Sequence, residues 1–180
     1  MSIQLRNFLR FWLIIAVQVL LNKITLRWWS EPAGFPVFIP LLYPLFILLL
    51  PFETPVWMLL IIGMITGLTM DSLMNTGGMH AAACILIAYL RTNALEALLP
   101  RALDEYPGQG PSVKNLGWVP FLTYAGFLIL IHHAVYFSIE LWSLSNVLLL
   151  LLKISASAVT SMLFVVGYLL LFTKQVSARG

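Results

Sequence analysis

Long apolar segments separated by short polar ones constrain the fold of this chain more than any other feature. Several of these segments approach the roughly 20 residues that an α-helix needs to cross a bilayer. Hydrophobic residues make up 61% of the 180 residues and charged residues only 9%, whereas soluble domains contain about 25% charged residues. A soluble fold could not bury this much apolar surface, so the sequence predicts an integral membrane protein.

The apolar segments predict an all-α, polytopic fold with six transmembrane helices in a single domain covering residues 1–180. The predicted helices lie at about 8–26, 36–51, 55–73, 78–99, 118–140 and 145–172. The second helix is short and rich in proline, which removes a backbone donor and clashes with the preceding turn. We therefore expect kinks or a partly re-entrant path there. Its prolines are Pro36, Pro40, Pro44 and Pro51.

The first apolar segment imitates a secretory signal peptide. Arg6 and Arg10 precede an apolar run over residues 11–21, but no small-residue cleavage pattern follows at residues 22–25. We therefore expect this segment to be retained as the first membrane helix.

The distribution of Lys and Arg predicts that both termini are cytoplasmic. With the N-terminus inside, seven of these residues fall on the inner side and at most three on the outer side, as the positive-inside rule requires. The inner residues are Arg6, Arg10, Arg91, Arg101, Lys114, Lys174 and Arg179. The same topology makes the polar segment 103–116 a cytoplasmic loop. The basic residues form no run of the kind that binds nucleic acid, so we expect no nucleic-acid partner.

Most ionisable residues within or beside the predicted spans fall in the outer half of the membrane. Such groups are expensive at membrane depth, so they are expected to face the bundle interior and to pair with one another. This predicted structural or interaction layer consists of Asp71, His80, His132, His133, Glu140 and Lys153.

A hairpin turn is predicted between the third and fourth helices. Gly77 and Gly78 supply the turn, with Asp71 before it and His80 after it. The Asp71 carboxylate has two candidate partners, His80 and Lys153. We favour a structural hydrogen bond that closes the turn over a catalytic pair, because polar groups in membranes commonly link helices. For Lys153, extension of its ammonium group to the outer surface and a buried ion pair are equally good alternatives.

Two adjacent histidines, His132 and His133, lie in the fifth predicted helix, and Glu140 at its end has either as a candidate partner. Adjacent helical residues point about 100° apart, so this pair lacks the spacing of a metal site. The single Cys84 suits packing. The sequence also lacks a phosphate-binding glycine loop, a nucleophile elbow and a zinc motif. We therefore expect neither metal, nor cofactor, nor enzymatic activity.

Two sets of motifs follow one another along the chain. The first set comprises Gly67-x-x-x-Asp71, the stretch 75–83 (Asn-Thr-Gly-Gly-Met-His-Ala-Ala-Ala) and Ala88-Tyr89-Leu90-Arg91. The second set comprises Tyr43-Pro44-Leu45-Phe46, Leu50-Pro51-Phe52, Leu116-Gly117, Tyr124, His132-His133 and Glu140. In order and spacing these motifs resemble MreD, the rod shape-determining membrane protein family of bacteria, in particular its Bacteroidetes members, and the resemblance extends over almost the whole chain.

The resemblance implies a non-enzymatic component of the cell-elongation machinery in the bacterial inner membrane. MreD associates with MreC, and through it with MreB, RodA and the class B penicillin-binding transpeptidase that works with RodA. It supports side-wall peptidoglycan synthesis and rod shape. The resemblance further implies a fold similar to the substrate-binding subunits of energy-coupling-factor transporters. That similarity keeps an alternative open, namely a small-molecule or lipid-binding subunit of a membrane transporter. A membrane enzyme is the third and weakest reading, since no nucleophile lies near Asp71 and His80 in the sequence.

Overall fold

The structure is a computed structural model that describes residues 3–29, 38–99, 103, 106, 108–141 and 147–172. All regular secondary structure in these residues is helical. The helices are α1 (Ile3–Trp29), α2 (Pro44–Leu48), α3 (Val56–Met74), α4 (Met79–Glu96), α5 (Val113–Leu116), α6 (Trp118–Leu141) and α7 (Val147–Phe172). Residues 30–37, in the predicted first outer loop, lie outside the described residues. So do residues 104, 105 and 107 of the predicted loop 103–116.

Four of the described helices are long and apolar enough to cross a membrane. The spans are Asn7–Thr25 in α1, Val56–Met74 in α3, Trp118–Leu141 in α6 and Val147–Leu171 in α7. Large apolar side chains point outward from all four of these helices, with Trp12, Ile65, Phe127 and Leu163 among the exposed ones. Such faces are stable against lipid. The all-α fold is therefore confirmed, with four helices that are long and apolar enough to span a membrane.

The helix predicted over 36–51, with kinks or a partly re-entrant path expected, is much shorter in its described part, and the expected interruption is present. Of residues 38–51, only Pro44–Leu48 form a helix. Pro40 and Pro51 provide no N–H and disfavour helix in the residues before them, which explains the interruption. We call residues 39–50 the central segment, because every one of them is buried. The helices that contact its short helix α2 are α1, α3, α4 and α6.

Helices α3 and α4 form a tight antiparallel hairpin. Asn75 closes α3 in the left-handed conformation (φ 55°) and Gly78 precedes α4 with φ 87°. A Cβ atom on Gly67 would lie 2.3 Å from the Ala81 Cα, so the two backbones are in direct contact there. Small residues that permit such an approach are typical of helix pairs in membranes. Helix α4 also packs on α6, and α6 packs on α7.

Candidate functional site

Side chains of the surrounding helices hold the central segment on both sides of its short helix α2. Near its start, Ile39 N donates to Ser157 Oγ at 2.9 Å and Leu41 N donates to Ser161 Oγ at 2.9 Å. Both serines lie on α7, one turn apart, and both are fully buried. Each hydroxyl satisfies a backbone donor that has no water to bond with at this depth.

Gln18 of α1 holds the next part of the central segment through both ends of its amide. Its Nε2 donates to Pro40 O at 3.0 Å, while its Oε1 accepts from Leu42 N at 2.5 Å and Tyr43 N at 3.3 Å. The side chain is fully buried. A buried polar group is stable only when its hydrogen bonds are made, and here three backbone groups supply them.

The carbonyl groups at the end of this region are held from the other side. The contacts are Tyr124 Oη to Leu48 O (3.0 Å), Arg10 Nη1 to Leu49 O (3.3 Å), and Arg91 Nη2 to Pro51 O (3.2 Å) and to Leu50 O. Arg91 is fully buried, although the sequence suggested only a charge near the cytoplasmic end of its helix. Irregular backbone occurs at membrane depth only where protein surrounds it, and the three donors explain how it is accommodated here.

Tyr43 of the central segment joins two histidines from different helices. Its Oη lies 2.6 Å from His80 Nδ1 on α4 and 2.7 Å from His132 Nε2 on α6. The His80 ring also stacks on Tyr136, with ring centroids 4.6 Å apart. Residues Tyr43, His80 and His132 are all fully buried. The three side chains therefore connect the central segment to α4 and α6.

The single hydroxyl proton of Tyr43 couples the two imidazoles. A tyrosine hydroxyl donates one hydrogen bond and accepts others, so it can donate to only one of the two rings. If it donates to His132 Nε2, both neutral rings carry their proton on Nδ1. If it donates to His80 Nδ1, both carry it on Nε2. The outer nitrogens, His80 Nε2 and His132 Nδ1, have no hydrogen-bond partner among the described residues. In either state, one of them is a donor and the other an acceptor.

His133 points away from its neighbour and has different partners. Its Nδ1 donates to Ile129 O at 2.7 Å, since a carbonyl can only accept, and its Nε2 lies 3.1 Å from Ser161 Oγ. Ser161 in turn accepts from Leu41 N. The two adjacent histidines thus reach the central segment by separate routes, His132 through Tyr43 and His133 through Ser161.

Asp71 caps the start of α4. Its carboxylate accepts from Thr76 Oγ1 at 2.6 Å, from His80 N at 3.1 Å and from Ala81 N at 2.9 Å. The contact between Asp71 and His80 therefore uses the histidine backbone and leaves the imidazole to Tyr43. The structural hydrogen bond that was expected to close this turn is present in the structure, and the alternative partner Lys153 is engaged elsewhere.

Lys153 and Glu140 form the ion pair of the site. The Lys153 Nζ lies 3.1 Å from Glu140 Oε2, and the lysine side chain is only 6% exposed. The expected pairing of Glu140 with His132 or His133 is therefore wrong, because His132 bonds to Tyr43 and His133 bonds to Ile129 O and Ser161. The alternative in which Lys153 reaches the outer surface is also wrong. The lysine nitrogen additionally lies 5.6 Å from the Phe137 ring centroid.

The structure thus divides the predicted polar layer into three parts. His80, His132 and His133 hold the central segment, Asp71 holds the α3–α4 hairpin, and Glu140 with Lys153 links α6 to α7. The turn predicted at Gly77 and Gly78 is present, but its left-handed residues are Asn75 and Gly78. Among the described residues, no group of three or more His, Cys, Asp or Glu side chains is arranged to hold a metal ion.

The residues that sequence reasoning missed are the partners of this layer. They are Gln18, Tyr43, Tyr124, Ser157 and Ser161. Gln18 carried a usable signal, because an amide inside an apolar span is rare without a partner. Ser157 and Ser161 carried no such signal, because small polar residues in an apolar helix predict close helix packing equally well.

Comparison with known proteins adds no relative. No family model matches the chain, and neither the characterised proteins nor the solved structures contain a significant match.

Proposed function

We propose that this chain is a non-enzymatic membrane scaffold of the bacterial cell-elongation machinery, of the MreD type. In this proposal it lies in the inner membrane and binds MreC directly. Through that complex it meets MreB, RodA and the class B penicillin-binding transpeptidase, and it supports side-wall peptidoglycan synthesis and rod shape. The resemblance of the motifs at residues 43–52, 67–91 and 116–140 supports this assignment.

The observation that carries the proposal is that the buried polar side chains bond to other parts of the protein. Asp71 caps a helix, His80 and His132 form hydrogen bonds with Tyr43, and Arg91 donates to backbone carbonyls. These groups are buried and bonded to the protein itself, whereas a catalytic group must reach a substrate. Polar residues that bond an irregular core together favour a rigid protein. Its helix faces then keep fixed positions to which partners can bind.

We further propose six membrane crossings with both termini in the cytoplasm. The four apolar spans supply four crossings, and α4 together with the region around the central segment supplies the other two. Helix α4 carries His80 and Arg91 and is shielded by α3 and α6, which is how a less apolar helix is accommodated in a bundle. As the resemblance to MreD implies, we propose that this arrangement is similar to the substrate-binding subunits of energy-coupling-factor transporters.

A second candidate function, a small-molecule-binding subunit of a transporter, is favoured by one observation. His80 Nε2 and His132 Nδ1 are buried and lack partners among the described residues. Together they offer one donor and one acceptor, which suits a ligand with a hydroxyl group. The scaffold remains preferred, because both atoms are closed off from the surface.

Co-purification tests the scaffold proposal. The full chain, tagged at its C-terminus in its native host, is expected to recover MreC, with RodA and its transpeptidase in smaller amounts. An Asp71→Asn variant should lower the recovery of the complex, while Ser72→Ala, an exposed neighbour bonded only to its own helix, should not. Recovery of an ATPase pair with a coupling membrane subunit, and no MreC, would reject the scaffold and support the transporter.

A further inference from the structure

An apolar groove runs between α1 and α7 and has the central segment at its floor. Its volume is about 230 Å³. The residues that line it include Leu13, Ile14, Val17, Leu42, Phe164 and Gly167. None of the polar side chains that hold the central segment lines it.

Both walls of the groove lie toward the same end of the bundle. Leu13 and Val17 are in the first half of the span Asn7–Thr25, and Phe164 and Gly167 are in the second half of the span Val147–Leu171. Only 22% of the α1 span is buried, and Leu13 and Phe164 at the rims are 45% and 41% exposed. The groove is therefore open to the hydrocarbon of the leaflet in which α1 begins and α7 ends.

The groove is apolar and open along one side, so an acyl chain of the surrounding lipid can lie along it without entering a closed cavity. Gly167 widens the groove locally, because a Cβ atom built there would meet nothing within 4 Å.

A positive charge lies at the end of the groove nearer the membrane surface. Arg10 precedes Leu13, Ile14 and Val17 by three, four and seven residues, so all four share one face of α1. Arg10 is half-buried, and its Nη1 bonds to Leu49 O. A guanidinium group binds phosphate well because it presents several donors in a fixed plane. The axial distance from Arg10 to Val17 is about 10 Å, within the roughly 15 Å of one leaflet's hydrocarbon.

We propose that this groove binds one acyl chain of a phospholipid, with the head-group phosphate at Arg10. The chain lies against Leu42 and fills the space beside Gly167. This site shares Arg10 with the contacts that hold the central segment, and it does not depend on the proposed scaffold function.

Native mass spectrometry of the full-length protein, purified in mild detergent and titrated with phosphatidylglycerol, tests the proposal. We expect one tightly held lipid on the wild-type protein and at least a fivefold loss of it in Gly167→Leu, whose side chain fills the groove. The matched control is Ser155→Leu, which adds the same side chain at an exposed position of the same helix. It should bind as the wild type does.

Arg10→Gln tests the phosphate contact. The wild type should hold phosphatidylglycerol in preference to diacylglycerol, which has the same acyl chains but no phosphate, and Arg10→Gln should lose that preference. Val17→Phe narrows the groove from the opposite wall and replaces Gly167→Leu if that variant does not fold. Unchanged binding in the groove-filling variant, or an equal loss in Ser155→Leu, would overturn the proposal. So would a dimer that Gly167→Leu dissociates without loss of lipid, since a second copy would then be the occupant.

Discussion

Removing one oxygen atom, in the variant Tyr43→Phe, tests the polar network most directly. The ring can stay in place, but His80 Nδ1 and His132 Nε2 each lose their partner. A buried group left unsatisfied costs about 1–3 kcal/mol, whereas hydrogen bonds within membrane bundles average only about 0.6 kcal/mol, because the unfolded chain finds other partners. Both nitrogens lie in a fully buried cluster, so the range of about 1–3 kcal/mol applies to each of them. We expect the variant to lose about 2–6 kcal/mol of unfolding free energy.

The assay is reversible unfolding in detergent micelles, followed by tryptophan fluorescence. The control is Tyr136→Phe, which makes the same chemical change in a ring that stacks on His80. The Tyr136 hydroxyl donates no hydrogen bond to the described part of the chain. A loss in Tyr43→Phe no larger than in Tyr136→Phe would refute the reasoning, because the bridge would then contribute no more than a tyrosine hydroxyl beside it.

Three further predictions concern the hairpin and the histidines. Asp71→Asn should reduce stability by about 1 kcal/mol in the same unfolding assay, as expected for a weakened helix cap, with Ser72→Ala unchanged. Gly67→Ala should cost at least about 1–3 kcal/mol through overpacking, while Gly77→Ala, whose Cβ meets nothing within 4 Å, should be tolerated. Nitrogen-15 NMR of labelled protein in nanodiscs should show the two imidazoles that flank Tyr43 as the same neutral tautomer, and opposite tautomers would disprove the shared proton.

The hairpin was predictable because its parts are close in sequence. Asp71 and His80 are nine residues apart, with a glycine pair between them, and few conformations bring a carboxylate back over such a turn other than a cap. The prolines likewise predicted that residues 36–51 could not form one regular helix. The hairpin and the interrupted helix both depend on residues that are close to one another in the sequence.

The partners of the central segment were not predictable from local pattern. Ile39 and Ser157 are 118 residues apart, and Leu41 and Ser161 are 120 apart. Nothing near either position in the sequence identifies the other. The pairing of Glu140 with Lys153 rather than with a histidine has a similar cause. It depends on how α6 is rotated about its axis, and that rotation is fixed by contacts on its other faces.

The same separation in sequence sets the order in which the molecule can be completed during synthesis. Ile39 N and Leu41 N bond to α7, which is the last of the described helices to leave the ribosome. At the roughly 5–20 residues per second of translation, the 118 residues between Ile39 and Ser157 take about 6–24 s to make. Throughout that interval these two amides lack their final partners. The growing chain is therefore in its most vulnerable state between insertion of its first helix and arrival of its last, and a ribosome that stalls before residue 157 leaves a protein whose centre cannot close.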